Sequence, residues 1–121
     1  MPLLVLHGWP GTLLQMLMII PLLTDPAGHG SDAVDAFDVI VPDLPGYRFS
    51  DRPTERGMSV ARIAELMHRL MTEELGYERY AARGSDLGAG VVQQLALAHA
   101  EALAGVHMGG TNPMLAGCRI T

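Results

Sequence analysis

The stretch Gly84-Ser85-Asp86-Leu87-Gly88-Ala89 holds the residues with the strongest claim to chemistry. It separates a run of strand character from a run of helix character. A sharp strand-to-helix turn strains its central residue and needs small residues two positions before and after it, the pattern of a nucleophile elbow. Ser85 as the centre would place Arg83 and Leu87 at those positions, and both are too large. Asp86 places Gly84 and Gly88 there, with Ala89 next, so the spacing selects Asp86 as the nucleophile. An aspartate is ordinarily ionised at neutral pH and needs no base for its attack. It suits displacement at a saturated carbon, which leaves an ester on the protein. Hydrolysis of that ester then needs an activated water and donors for the developing oxyanion. The backbone N–H of Leu87, at a helix N-terminus that favours negative charge, is one candidate donor. Spacing alone leaves two other readings open. Asp86 could simply cap the helix, or Gly84, Gly88 and Gly90 could belong to a nicotinamide dinucleotide-binding module. Against the second, Val91-Val92-Gln93 breaks the strict G-x-G-x-x-G form, and that fingerprint follows the first strand of its domain.

A second turn, His7-Gly8-Trp9-Pro10-Gly11, follows an apolar run at residues 3–6. It can present the Trp9 backbone N–H toward the same site; the bland alternative is a tight turn with Trp9 in the core. His29, His68, His99 and His107 read as structural or solvated residues rather than as a general base. Tyr47, Tyr77 and Tyr80 fall in a loop and a strand.

The elements that must position these turns can be read from periodicity. Residues 3–6 and 37–41 are short, continuous apolar runs, as expected of buried strands. Thr12 can cap a helix running to about Leu23, and residues 24–35 form a polar surface loop. Residues 43–58 form a long ordered loop, a kind of segment that is usually functional. Ser59 can cap a helix whose apolar face is Val60, Ile63, Ala64, Met67, Leu70 and Met71, with Gly76 as its stop. Residues 77–82 suggest a strand, 84–90 a glycine-rich turn, 91–100 a helix and 103–108 a further strand. Strands alternating with helices imply a parallel sheet with right-handed crossovers. Sites in such sheets lie at the carboxyl ends of the strands, where both turns fall.

Composition bounds the function. Hydrophobic residues make up 49% and charged residues 17%, as in a globular domain with a buried core. The net charge of −5, with basic residues dispersed, argues against a nucleic-acid or membrane partner. The apolar stretch at residues 13–23 contains Gln15 and Pro21 and falls short of the roughly 20 residues a bilayer span requires. With no secretory signal in view and one cysteine, Cys118, a reducing, cytoplasmic setting is expected. Nothing in the residue pattern calls for a metal or a cofactor.

Three strings together resemble epoxide hydrolases of the α/β-hydrolase fold, particularly the microsomal-type branch and its bacterial and fungal relatives. They are His7-Gly8-Trp9-Pro10-Gly11, the segment Pro42-Asp43-Leu44-Pro45-Gly46-Tyr47-Arg48-Phe49-Ser50-Asp51-Arg52-Pro53, and Gly84-Ser85-Asp86-Leu87-Gly88-Ala89. The resemblance covers roughly residues 2–110. It implies that residues 1–121 are a partial α/β-hydrolase core of about four parallel strands, the third to sixth of the family fold, with helices on both faces. It implies that Asp86 attacks an epoxide carbon and that the backbones of Trp9 and Leu87 are the oxyanion donors. His7, Gly8, Pro10, Gly84, Gly88 and Ala89 would be the structural part of the motif, and a small apolar epoxide would be opened to a vicinal diol without a cofactor. Leu87 stands where the family commonly has Trp, which disfavours the halide chemistry of related dehalogenases. Arg48 stands where the family's Gly-Tyr-Gly-x-Ser string has its second Gly, and residues 110–121 do not resemble the family. The family's lid tyrosines and its water-activating His, held by an acid, follow the strand that ends near Met108. The chain alone is therefore expected not to turn over an epoxide, and a non-catalytic fragment or pseudoenzyme is the alternative. By family topology the strands lie in the order second, first, third, fourth, and their open edges favour self-association.

Overall fold

The computed structural model describes residues 1–8, 11–47, 49–54 and 56–110. Four strands form one parallel sheet: β1 (Pro2–Leu6), β2 (Asp38–Ile40), β3 (Tyr80–Ser85) and β4 (Leu103–Gly109), in the order β2-β1-β3-β4. The expected partial α/β architecture and strand order are both present. β1 sits at the centre because its five residues are apolar and nearly all buried. Its side chains alternate between two faces. Leu4 and Leu6 enter one apolar cluster with Ile63, Met67, Val91 and Leu95, while Leu3 and Val5 enter a second with Met16. The sheet is thus covered on both faces, and a continuous apolar run is what such a strand requires.

The first cluster is closed by α2 (Val60–Arg69) and α3 (Leu87–Ala98), which pack against each other. Ser59 caps α2, its hydroxyl accepting from the Arg62 N–H at 3.2 Å. The expected single helix through residue 75 instead widens into a π-helical turn at Leu70–Glu74. Gly76, at φ 75°, ends it as expected.

The helix expected from Thr12 to Leu23 is split. Thr12 does cap, accepting from the Leu14 N–H at 3.1 Å, but only a 3-10 turn at Leu13–Met16 follows. The α-helix restarts as α1 (Ile20–Thr24) with Pro21 in its first turn. Proline lacks an N–H and its ring clashes with the carbonyl four residues earlier, so a helix tolerates it only at its start. In the polar loop that follows, Asp25 and Asp32 cap two further 3-10 turns, Pro26–His29 and Ala33–Asp35. β3 begins later than expected and runs through Gly84 and Ser85, while α3 begins at Leu87. The glycine-rich turn expected over residues 84–90 therefore contracts to the single residue Asp86. Residues 41–59 form the expected long connection without strand or helix, of which Arg48 and Glu55 lie outside the described residues.

Candidate active site

Asp86 joins β3 directly to α3 with φ 52° and ψ −118°, and it alone among the described non-glycine residues has positive φ. These angles match the first corner of a type II′ turn, which glycine normally fills. Holding another residue there costs on the order of 1–3 kcal/mol.

The surrounding glycines explain how the turn closes. A Cβ on Gly84 would sit 2.8 Å from the Ala89 nitrogen and closer still to the Gly88 carbonyl. A Cβ on Gly88 would lie 2.5 Å from the Leu6 carbonyl oxygen. A Cβ on Gly8 would lie 2.6 Å from the Asp86 Cβ and 3.0 Å from its Oδ2. The turn after β1 and the turn after β3 are therefore in contact, as their glycines suggested, and Asp86 lies against the first of them. The strand-to-helix turn is too tight for any residue but glycine on its flanks.

Asp86 occupies the N-cap position of α3, yet its side chain makes no capping hydrogen bond. Its backbone carbonyl starts the helix, accepting from Ala89 N–H at 3.1 Å and Gly90 N–H at 3.3 Å. Capping thus does not account for the carboxylate. The Leu87 N–H belongs to the first turn of α3, where backbone donors lack intrahelical acceptors. Trp9 and Pro10, the other proposed parts of the site, lie outside the described residues, as do Arg48 and Cys118.

His7 is completely buried. Its Nδ1 lies 3.0 Å from the Gly8 carbonyl oxygen, and its Nε2 lies 3.0 Å from the Leu44 nitrogen. A backbone N–H can only donate, so Nε2 accepts and Nδ1 carries the proton. Asp43 Oδ1 also lies 3.5 Å from Nε2, which would be an ion pair were His7 protonated. The shorter Leu44 contact and the length of the Asp43 contact favour the neutral ring. Both ring nitrogens are engaged, so His7 is unavailable as a base.

Asp43, 2% exposed, was not singled out by the sequence beyond its place in a motif string. Its Oδ1 accepts from the Leu13 N–H at 2.6 Å and its Oδ2 from the Phe49 N–H at 3.1 Å. The Ser50 hydroxyl donates to the Asp43 carbonyl. Tyr47, whose ring meets His7 edge-on at 4.8 Å, is a second residue that sequence reasoning missed. Burial, reinforced by the negative charge of Asp86, raises its phenol above the usual tyrosine range. A loop tyrosine or aspartate reads the same in sequence whether it faces water or a site.

The remaining histidines lie elsewhere. His68 Nδ1 lies 3.0 Å from the Tyr80 hydroxyl, and its ring stacks on His99 at 3.6 Å. His99 in turn meets Glu65 at 2.7 Å. Tyr80 opens β3 whereas Asp86 follows its end, a separation of about 20 Å along the strand. His29 and His107 are exposed. Among the described residues, no group of three or more His, Cys, Asp or Glu could hold a metal ion. The described residues also include no helix long and apolar enough to cross a membrane.

A sequence model of the alpha/beta hydrolase fold matches residues 1–117. The chain belongs to the α/β-hydrolase fold family. Within it, a Stigmatella aurantiaca protein named "Putative epoxide hydrolase" is 51% identical over 108 residues, 89% of this chain and 24% of the relative. Epoxide hydrolase 1 of Oryctolagus cuniculus is 38% identical over 88% of this chain and 23% of its own length. This α/β-hydrolase chain thus spans about a quarter of the length of these relatives. The juvenile hormone epoxide hydrolase of Bombyx mori superposes with a TM-score of 0.78 at 34% identity, over 90% of this chain and 28% of that one. The Aspergillus niger epoxide hydrolase superposes with a TM-score of 0.76 at 27% identity, over 92% and 28%. The family assignment leaves no support for the dinucleotide reading. The space beside Gly84 and Gly88 is filled by the chain's own carbonyls, not left open for phosphate.

Proposed function

We propose that this chain carries the nucleophilic part of an epoxide hydrolase site. The observation that carries the reading is Asp86: a strained turn residue at a helix N-cap whose side chain does not cap. In this reading the turn is a nucleophile elbow. A carboxylate oxygen attacks an epoxide carbon, the carbon–oxygen bond of the ring breaks, and the epoxide oxygen leaves as an alkoxide that takes a proton. The resulting ester is hydrolysed through a tetrahedral oxyanion, which the N–H groups of Leu87 and Trp9 receive. Water then supplies the oxygen that restores Asp86, and a vicinal diol departs. Leu87 makes an apolar wall where tryptophan is common in the family, which suits an apolar epoxide and offers no indole N–H to a halide.

Repeated turnover also requires an acid for the alkoxide and a base for the water. Neutral, fully engaged His7 cannot be that base. The resemblance assigns both groups to parts of the family that this chain does not match. The expected outcome with styrene oxide is an ester at Asp86, detected by intact mass and peptide mapping, with no repeated diol release. Asp86→Asn should abolish the adduct. An adduct that persists in that variant overturns the reading, and multiple diols per chain refute the division of labour. The reading also includes a cytoplasmic setting, supported by the single cysteine and tested by cell fractionation.

A further inference from the structure

Both faces of the sheet are covered, but unequally. Four strands about 4.8 Å apart span about 14 Å, and helices pack about 8–10 Å apart, so each face has room for two. The first face carries two, α2 and α3. The second carries only α1 and the 3-10 turn before it, which pack on the β1–β2 half. A parallel sheet is ordinarily buried on both faces along its whole width. Over β3 and β4 the second face instead lies open, as a cleft of about 440 Å³ walled by Ile19, Leu23 and Phe37.

The floor of this cleft is made of alternate residues on one side of two paired strands. Ala81 and Arg83 come from β3, and Gly105 and His107 lie beside them on β4. The first pair is small, and a Cβ added to Gly105 would meet nothing within 4 Å. The second pair is polar. The Arg83 guanidinium reaches from the Met16 sulfur, 3.9 Å from Nη1, toward Gly109, where an added Cβ would lie 4.0 Å from Nη2. A thioether sulfur is a weak acceptor. Among the described residues no carboxylate pairs with Arg83, and residues 111–121 offer no acidic side chain. Arg83 is already partly buried. Anything that covers the cleft takes its charge further out of water, a cost that a carboxylate on the covering element offsets.

We propose that this cleft is a docking site for an amphipathic helix of a partner, whose apolar face meets Ile19, Leu23, Phe37 and Gly105 and whose one buried carboxylate pairs with Arg83. Width selects a helix, because the open half of the face is one helix wide. Arg83 selects the charge, because its planar fork binds a carboxylate through two parallel bonds. His107 adds a donor beside it. The site neither uses nor depends on the reading of Asp86.

The chain would be immobilised at a density too low for self-association and offered a displayed library of helices of about 18 residues, long enough to run the length of β4. Positions i, i+3, i+4 and i+7 of each helix vary among Leu, Ala, Glu, Gln and Lys. Retained helices should carry one Glu on the apolar face, favoured over Gln by at least about tenfold. Arg83→Glu should reverse the preference to Lys. Arg83→Gln removes the charge with little change of bulk and should erase the preference for Glu over Gln, so it carries the test if Arg83→Glu does not fold. Gly105→Leu fills the floor without touching the charge and should weaken the best helix by at least about tenfold. Urea midpoints show which variants are folded.

No retained helix, Glu no more frequent than Gln, or the same helices retained by Arg83→Glu overturns the proposal. Two other occupants overturn it as well. With no helix retained, dodecanoate binding that needs Arg83 makes the cleft a site for a small amphiphile, and self-association that Arg83→Glu abolishes makes the occupant a second copy of this chain.

Discussion

At Asp86, a backbone conformation suited to glycine is occupied by an aspartate, so stability and the proposed chemistry oppose one another. Asp86→Gly should relieve about 1–3 kcal/mol of strain, offset by about 0.5–1 kcal/mol of extra chain entropy in the unfolded state. A net gain of about 1 kcal/mol is expected, read as a higher urea midpoint at unchanged slope, with loss of all adduct formation. A less stable Asp86→Gly protein would show that the turn is relaxed as it stands. That the turn centres on Asp86 and not on Ser85 was legible in the sequence because steric need writes itself as glycine at fixed spacing. The contacts of Asp43 and Tyr47 were not, because burial of a loop side chain depends on which other loop covers it. Here that cover includes His7 against Tyr47 and Leu13 against Asp43, thirty or more positions away.

Individual elements show the same division. Ser59 was readable as a cap because its partner lies three residues on, and Ser59→Ala should cost about 1 kcal/mol with little change in the turn at Asp86. Thermal unfolding of that variant checks it; an unchanged midpoint would mean α2 is held by packing alone. Pro21 announced its own effect, yet the apolar run around it concealed that two short turns, not one helix, cover the second face. The start of β3 was misplaced because Tyr77 is as strand-prone as Tyr80. Only pairing with β1, from Leu3↔Ala81 to Leu6↔Gly84, decides between them and draws Gly84 into the strand.

For the whole molecule, the stacked His68–His99 pair beside Glu65 joins α2 to the segment after α3 and sets a pH range for stability. Burial, then the neighbouring His99 charge, lowers the His68 value below that of a free histidine. The folded state then binds fewer protons than the unfolded state as pH drops below about 6.5, so stability falls there. Glu65, held below the usual carboxylate range by its bond to His99, adds a loss at still lower pH. Tyr80, pushed up to about 12 by burial and then by Glu101 and Glu65, keeps its proton when the unfolded chain has lost it, so stability also falls above pH 10. Urea midpoints should therefore be highest between these limits, and His68→Gln should flatten the acid side. The sheet edges predict a second bulk property. β4 is an outer strand with Val106 and Met108 exposed at 44% and 41%, beside a cleft of about 440 Å³ lined by Leu3, Ile19, Leu23 and Phe37. The isolated chain should self-associate with concentration. Val106→Lys should reduce this in sedimentation; a monomeric parent at high concentration would refute it.

The interlocked glycines also restrict how such a protein can diversify. Gly8, Gly84 and Gly88 each fill space against backbone or against Asp86 itself, so none can change without moving a neighbour. Ser85 and Leu87 are only partly buried, and Leu87 borders the main apolar cluster. Inheritable variation in this turn therefore has two outlets, and only residue 87 immediately follows Asp86. Descendants that acquire new substrates through this turn should differ first at position 87, while the three glycines persist long after the surrounding sequence has drifted.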